Sequence, residues 1–141
     1  MGRAKLKRAL GTHLLVEMLG CDAQLLKRTD YVERVMVEAA RKGRMSILTY
    51  NFHQFAPYGV SGVVIIEESH MSIHTWPEYR YAAVDIFYCS DEDQVDTAKA
   101  MEVLKEGFKA TKCIIKTLHR GELGTLEEWI VPEMAEAAES A

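Results

Sequence analysis

Between residues 45 and 89 the chain carries several apolar segments joined by connections too short to hold a helix, and this constrains the fold more than any other feature. Met45 to Phe55 alternates, with Ile47, Thr49, Asn51 and His53 on one side and Leu48, Tyr50 and Phe52 on the other. That is the period of a strand with two unlike faces. Ala56-Pro57-Tyr58-Gly59 reads as a turn, because Pro fixes φ and Gly accepts dihedrals that other residues avoid. Val60 to Ile66 is a second strand, and the Gly62 inside it marks a bulge or a close backbone approach. Met71 to Thr75 reads as extended, and Tyr81 to Cys89 as a long strand interrupted only by Asp85. Tight turns between consecutive strands imply antiparallel pairing, since a parallel crossover needs a dozen residues or more.

Helical spacing appears twice. Val32, Val35, Met36, Ala39 and Ala40 recur on one face up to Gly43, with Asp30 as the expected N-cap and Gly43 just past the end. Ala98, Met101, Leu104, Lys105 and Phe108 trace a second helix. Before the first helix, His13 to Leu19 reads as a strand closed by Gly20. After the second, Lys112 to Leu118 reads as a strand through Ile114 and Ile115, and residues 133–141 as a marginal helix or frayed tail. The order strand, helix, three or four strands, helix, strand predicts an α+β fold: a two-layer sandwich, with an antiparallel sheet and the helices on one face. The expected layout is a basic arm over 1–10, one domain over 11–121 and a tail over 122–141. An open sheet in a chain of 141 residues leaves a face or an edge uncovered, which predicts a homodimer.

Composition narrows the function classes. Hydrophobic residues at 48% and charged residues at 27% are globular usage. A net charge of −4 gives no electrostatic reason for a nucleic-acid partner. Cys21, Cys89 and Cys113, with no CxxC, fit a reducing cytoplasm better than a disulfide framework. The basic start, Met1 to Arg8, is followed by no signal-peptide apolar core before Glu17. No apolar run approaches the roughly 18 residues needed to span a membrane. The expectation is a cytoplasmic protein with no membrane partner.

Chemistry concentrates in Glu67-Glu68-Ser69-His70-Met71-Ser72-Ile73-His74-Thr75-Trp76-Pro77-Glu78. His70 and His74 with three nearby acids suggest a metal site at first sight. The zinc-protease pattern, however, needs His-Glu-x-x-His on a helix, and a segment rich in Ser, Ile and Thr before Trp-Pro is poor helix material. No metal is expected. Ser69 lacks the Gly-x-Ser-x-Gly elbow of the α/β-hydrolases, and a serine near a histidine is more often a turn residue than a nucleophile. Cys89 ends the longest strand, where a buried small hydrophobe is the ordinary reading. Glu17 is either an exposed residue of an alternating strand or a carboxylate facing a pocket. Phe55, Tyr58 and Trp76 suit a core, an interface or the stacking of a planar ring. His13, His53 and His119 give no usable signal.

Three segments resemble the prokaryotic S-adenosylmethionine decarboxylase proenzyme family: Gly59-Val60-Ser61-Gly62-Val63-Val64 followed by Glu68-Ser69-His70-Met71-Ser72-Ile73-His74-Thr75-Trp76-Pro77-Glu78, then Tyr81-Ala82-Ala83-Val84-Asp85-Ile86-Phe87 with its cysteine two residues on, and His13 to Asp22. They span roughly residues 11–120. The resemblance implies an enzyme that makes its own cofactor by serinolysis at Glu68–Ser69. Ser69 Oγ attacks the Glu68 carbonyl, β-elimination leaves dehydroalanine, and hydrolysis releases ammonia and a pyruvoyl group. His74 corresponds to the family's processing base, and Ser61 to a serine that supports the processing intermediate. In turnover the pyruvoyl carbonyl forms a Schiff base with the substrate amine, and Cys89 corresponds to the acid that returns a proton to the α-carbon. Glu78 corresponds to a carboxylate on the ribose hydroxyls, Phe55 and Trp76 to groups stacking the adenine, and Glu17 to one near the sulfonium.

The implied product is the decarboxylated aminopropyl donor for polyamine synthesis, made by a homodimer of cleaved protomers. Ser69 and His74 are five residues apart, so a straight strand puts them on opposite faces; a bulge or turn between them, or an approach through bent backbone, is expected. Arg80, Tyr88 and Ser90 depart from the Gly, Thr and Gly common at those positions. Relatives in this fold that act on arginine or ornithine give the first alternative function. An unprocessed homologue that binds or regulates a partner gives the second.

Overall fold

A computed structural model of the chain describes residues 9–89 and 94–135; residues 1–8 of the basic arm, Ser90 and residues 136–141 of the tail lie outside it. The elements run β1 (Gly11–Leu19), α1 (Thr29–Lys42), β2 (Ile47–Gln54), β3 (Val60–Ile66), β4 (Ser69–Trp76), β5 (Tyr81–Cys89), α2 (Thr97–Phe108) and β6 (Lys112–Arg120). Short 3-10 turns at Ala23–Leu26, Pro77–Tyr79, Leu126–Glu128 and Pro132–Met134 join or follow them. The sheet order is β2-β3-β4-β5-β1-β6, and every neighbouring pair is antiparallel.

Strand parity explains where the core lies. Leu14, Val16 and Met18 of β1, Met71 and Ile73 of β4, and Ala82, Val84 and Ile86 of β5 all point to one side and are buried there. They meet Val32, Val35, Met36, Ala39 and Ala40 of α1 and Ala100, Leu104 and Phe108 of α2 in a single cluster. The helices therefore cover one face, as the two-layer expectation requires. They also pack on each other: Gly107 has Val35 so close that an added Cβ would lie 2.6 Å from Val35 Cγ1, and Tyr31 donates to the Gly107 carbonyl at 2.7 Å.

Several local expectations change. α1 begins at Thr29, not after Asp30, and its N-cap residue Arg28 makes no side-chain capping bond. The first-turn donor is satisfied from another element: Thr29 N–H donates to Gln54 Oε1 of β2 at 2.8 Å. Asp30 accepts from its neighbour Tyr31 N–H instead. At Gly62 it is a side chain that approaches, not another backbone: an added Cβ would lie 2.0 Å from Phe52 Cδ2. The bulge is elsewhere, in β2 between Ile47 and Thr49. β4 starts at Ser69, so the β3–β4 connection shrinks to Glu67 and Glu68, with Glu68 in the left-handed region at φ 65°.

Candidate active site

The sheet face away from the helices carries the chemistry. On β4, the residues alternating with the buried Met71, Ile73 and Thr75 are His70, Ser72, His74 and Trp76. On β5 they are Tyr81, Asp85, Phe87 and Cys89, and on β1 His13 and Glu17. Clefts open on this face toward the two ends of the strands, with a polar network between.

The first site lies where β3 ends its ladder with β4. Ser61 pairs with His74 in register, and Ser61 Oγ and His74 Nδ1 are 2.8 Å apart. They line a cleft of about 420 Å³ with Phe55, Tyr58, Trp76 and Glu78. Pro77 starts the 3-10 turn that presents Glu78. Trp76 stacks on Tyr81 with centroids 5.3 Å apart and planes inclined by 28°. The Tyr81 hydroxyl in turn donates to Glu17. Burial, and then the Glu17 hydrogen bond and charge, push the Tyr81 phenol up to about 12. Glu17 is thus a carboxylate on the polar face, engaged by Tyr81.

The second site lies at the other end. Ser69 sits beside the Glu67–Glu68 turn, with its hydroxyl 3.5 Å from the Glu67 carbonyl. Cys89 pairs with Gly11 across β5 and β1. Leu10, Gly11, Glu68, Phe87, Cys89 and Arg120 line a cleft of about 380 Å³. His70 contacts Phe87 edge-on at 5.7 Å between centroids. Burial, and then His13, hold the His70 imidazole below its ordinary pKa, with Arg120 adding and Asp85 opposing. Between the sites, Asp85 accepts from Ser72 Oγ at 2.9 Å and meets His13 Nε2 at 3.0 Å.

These positions correct one expectation. β4 holds an unbroken register with both β3 and β5 from His70 to His74, and with β3 from Ser69, so no bulge turns Ser69 toward His74. At roughly 3.3 Å per residue the two lie about 16 Å apart on opposite faces. A single chain brings Ser61 together with His74, and Glu68 with Cys89, but not one pair with the other. Sequence reading also missed the network of His13, Ser72 and Asp85. The signal was strand parity, which puts His13 on the same face as Asp85. Among the described residues no three His, Cys, Asp or Glu side chains gather as metal ligands do, and no helix is long and apolar enough to cross a membrane.

The family profile described as S-adenosylmethionine decarboxylase matches residues 12–121. The chain belongs to that family. It is 45% identical over 124 residues to the S-adenosylmethionine decarboxylase proenzyme of Thermotoga petrophila, covering 86% of this chain and 94% of the relative. The proenzyme of Acidithiobacillus ferrooxidans is 46% identical over 116 residues, covering 82% and 86%. The fold is similar to the crystal structure of adenosylmethionine decarboxylase from Aquifex aeolicus, with a TM-score of 0.73, 29% identity and coverage of 81% and 92%.

Within this S-adenosylmethionine decarboxylase family member two of the unusual residues, Tyr88 and Arg80, are not among those lining either cleft, and Ser90 lies outside the described residues. Tyr88 has the helix-side parity of β5 and packs against the core. Arg80 holds a left-handed φ of 54°, a conformation that Gly adopts freely. Its guanidinium turns away to the Cys21 carbonyl at 2.8 Å and the Gly20 carbonyl at 3.2 Å.

Proposed function

We propose that the chain cleaves itself at Glu68–Ser69 and then catalyses pyruvoyl-dependent decarboxylation of S-adenosylmethionine in the cytoplasm, supplying the aminopropyl donor for polyamine synthesis. The domain over 11–121 carries both activities. The observation that bears most weight is the division of the polar face into two half-sites. Neither contains a complete set of groups: one offers Ser61, His74, Phe55, Trp76 and Glu78, the other Glu68 of the scissile bond, Cys89 and Phe87. Two copies stacked face to face about a two-fold axis lying across the strands exchange strand ends, so each first half-site meets the other copy's second. Exposed Ile65, Trp76, Ile114 and Leu118 on that face supply apolar area for such a homodimer.

In processing, Ser69 Oγ attacks the Glu68 carbonyl carbon, the Glu68–Ser69 C–N bond breaks, and an ester replaces it. His74 of the other copy, oriented by Ser61 through the 2.8 Å hydrogen bond, then removes the Ser69 α-proton. Elimination and hydrolysis of the resulting dehydroalanine release ammonia. The turn geometry fits formation of the group: Ser69 stands at the start of β4 with its hydroxyl half-exposed beside Glu67 and Glu68. The pyruvoyl carbonyl supplies an electron sink condensed with the substrate's α-amine. The chain's residues do the rest. Phe55 and Trp76 face the adenine and Glu78 the ribose hydroxyls, while Glu17 sets a carboxylate on the same face for the sulfonium. Cys89 returns the proton to the α-carbon.

Intact mass tests the reading. Two species are expected, residues 1–68 and residues 69–141 with an altered amino terminus, together with carbon dioxide release from S-adenosylmethionine. A single full-length species sinks it, and release from arginine or ornithine alone replaces the substrate.

A further inference from the structure

Arg120, the last residue of β6, has no part in the scheme above, yet it lines the same cleft as Glu68 of the scissile turn. Cys89, Gly11 and Arg120 form one row across β5, β1 and β6, since Gly11 is in register with both. A Cβ on Gly11 would lie 2.5 Å from Phe87 Cε1, so the ring overlies β1 only because no side chain projects there. The ring presents its face to the guanidinium, which sits 4.7 Å from the centroid. A guanidinium stacked on an aromatic keeps its N–H fork free at the rim. Among the described residues lining the cleft with Glu68 and Cys89, it is the one cation.

We propose that Arg120 receives the α-carboxylate of Glu68 as it leaves in the elimination step and holds it afterwards, a role that rests on the self-cleavage reading. In the ester, the Glu68 carbonyl carbon is bonded to Ser69 Oγ and the Ser69 amine is free. Removal of the Ser69 α-proton forms the Cα=Cβ bond, the Cβ–Oγ bond breaks, and its electron pair stays on Oγ. Glu68 departs as a carboxylate, with no other reactant needed. That charge appears only as the bond breaks, so a planar cation placed there lowers the barrier rather than binding the starting chain. The geometry of a guanidinium also matches both carboxylate oxygens.

The test follows splitting of freshly purified chains by intact mass, with and without hydroxylamine, which cuts the ester and leaves an unaltered Ser69 terminus. Arg120→Gln is expected to accumulate hydroxylamine-sensitive full-length chain and to finish cleavage roughly 100-fold more slowly; Arg120→Lys restores part of the rate. Both variants are checked by thermal melting, and the exposed position at a strand end favours an intact fold. The stall persists when Arg120→Gln is combined with Glu68→Gln. If it vanishes there, Arg120 served the Glu68 side chain and the proposal is wrong. Wild-type splitting rates in Arg120→Gln, or a stall without hydroxylamine sensitivity, overturn it as well. A wild-type chain that never splits removes the self-cleavage reading and this proposal together.

Discussion

Ser69 and His74 share β4 but not a face of it, and about 16 Å of straight strand separates them. If each acts on the other copy's partner group, two defective chains repair one another. Ser69→Ala and His74→Ala are each expected to stay uncleaved alone. Co-expressed with different tags, they form a mixed dimer with one complete site, and the His74→Ala chain alone is cut. Mass spectrometry of the tagged fragments reads this directly; an uncut mixture would exclude the shared-site arrangement.

Cys89 stands across the cleft from the scissile turn and takes no part in the steps that form the ester. Cys89→Ala should therefore split normally. Carbon dioxide release per cleaved site should fall by about 100-fold or more, the scale on which a positioned proton donor acts. Undiminished turnover by a fully cleaved variant would take the donor role from Cys89.

The depressed His70 imidazole gives a signed prediction for stability. The folded chain takes up this proton at a lower pH than the unfolded chain, whose imidazole titrates near the ordinary 6.5. The unfolded state therefore binds more protons in the window below 6.5, and stability falls as pH is lowered through it. The causes are burial beside Phe87 and the neighbours His13 and Arg120, with Asp85 opposing. Thermal melts of the uncleavable Ser69→Ala chain between pH 5 and 8 should lose part of their acid slope on His70→Asn. An unchanged slope would assign the dependence to other groups.

Gly62 admits the Phe52 ring over β3, with 2.0 Å between Phe52 Cδ2 and the place a Cβ would take. Gly62→Ala should cost about 1–3 kcal/mol, the usual range for overpacking. Most of that loss should disappear on a Phe52→Ala background, because the two changes share one contact. Denaturant titration of the four chains measures the coupling; additive losses would contradict the contact.

The period-two stretches and the helical stripes made the layers legible, because burial on one side leaves a regular trace in residue order. Details supplied from elsewhere in the fold did not. Asp30 looked like an N-cap because the acceptor used at that helix end, Gln54, belongs to a strand some twenty-five residues later. The family resemblance named Ser61, His74, Cys89 and Glu78. Parity on a straight strand raised the problem of Ser69 and His74, and the expected bulge resolved it wrongly. Register is a property of three strands together, so β4 alone could not reveal that it stays unbroken. His13 was silent for the same reason: its partner Asp85 is 72 residues away.

The two-residue turn between β3 and β4 has a consequence for a chain that breaks there. β3 is paired to β2 as well as to β4, and β4 to β5 as well as to β3. Each new end would therefore belong to a strand already stitched into the sheet on both sides. The covalent link at Glu68–Ser69 contributes little that the ladders do not, as at other exposed loop tips that tolerate nicking. The protein can spend a peptide bond on a reactive end group and remain one folded body.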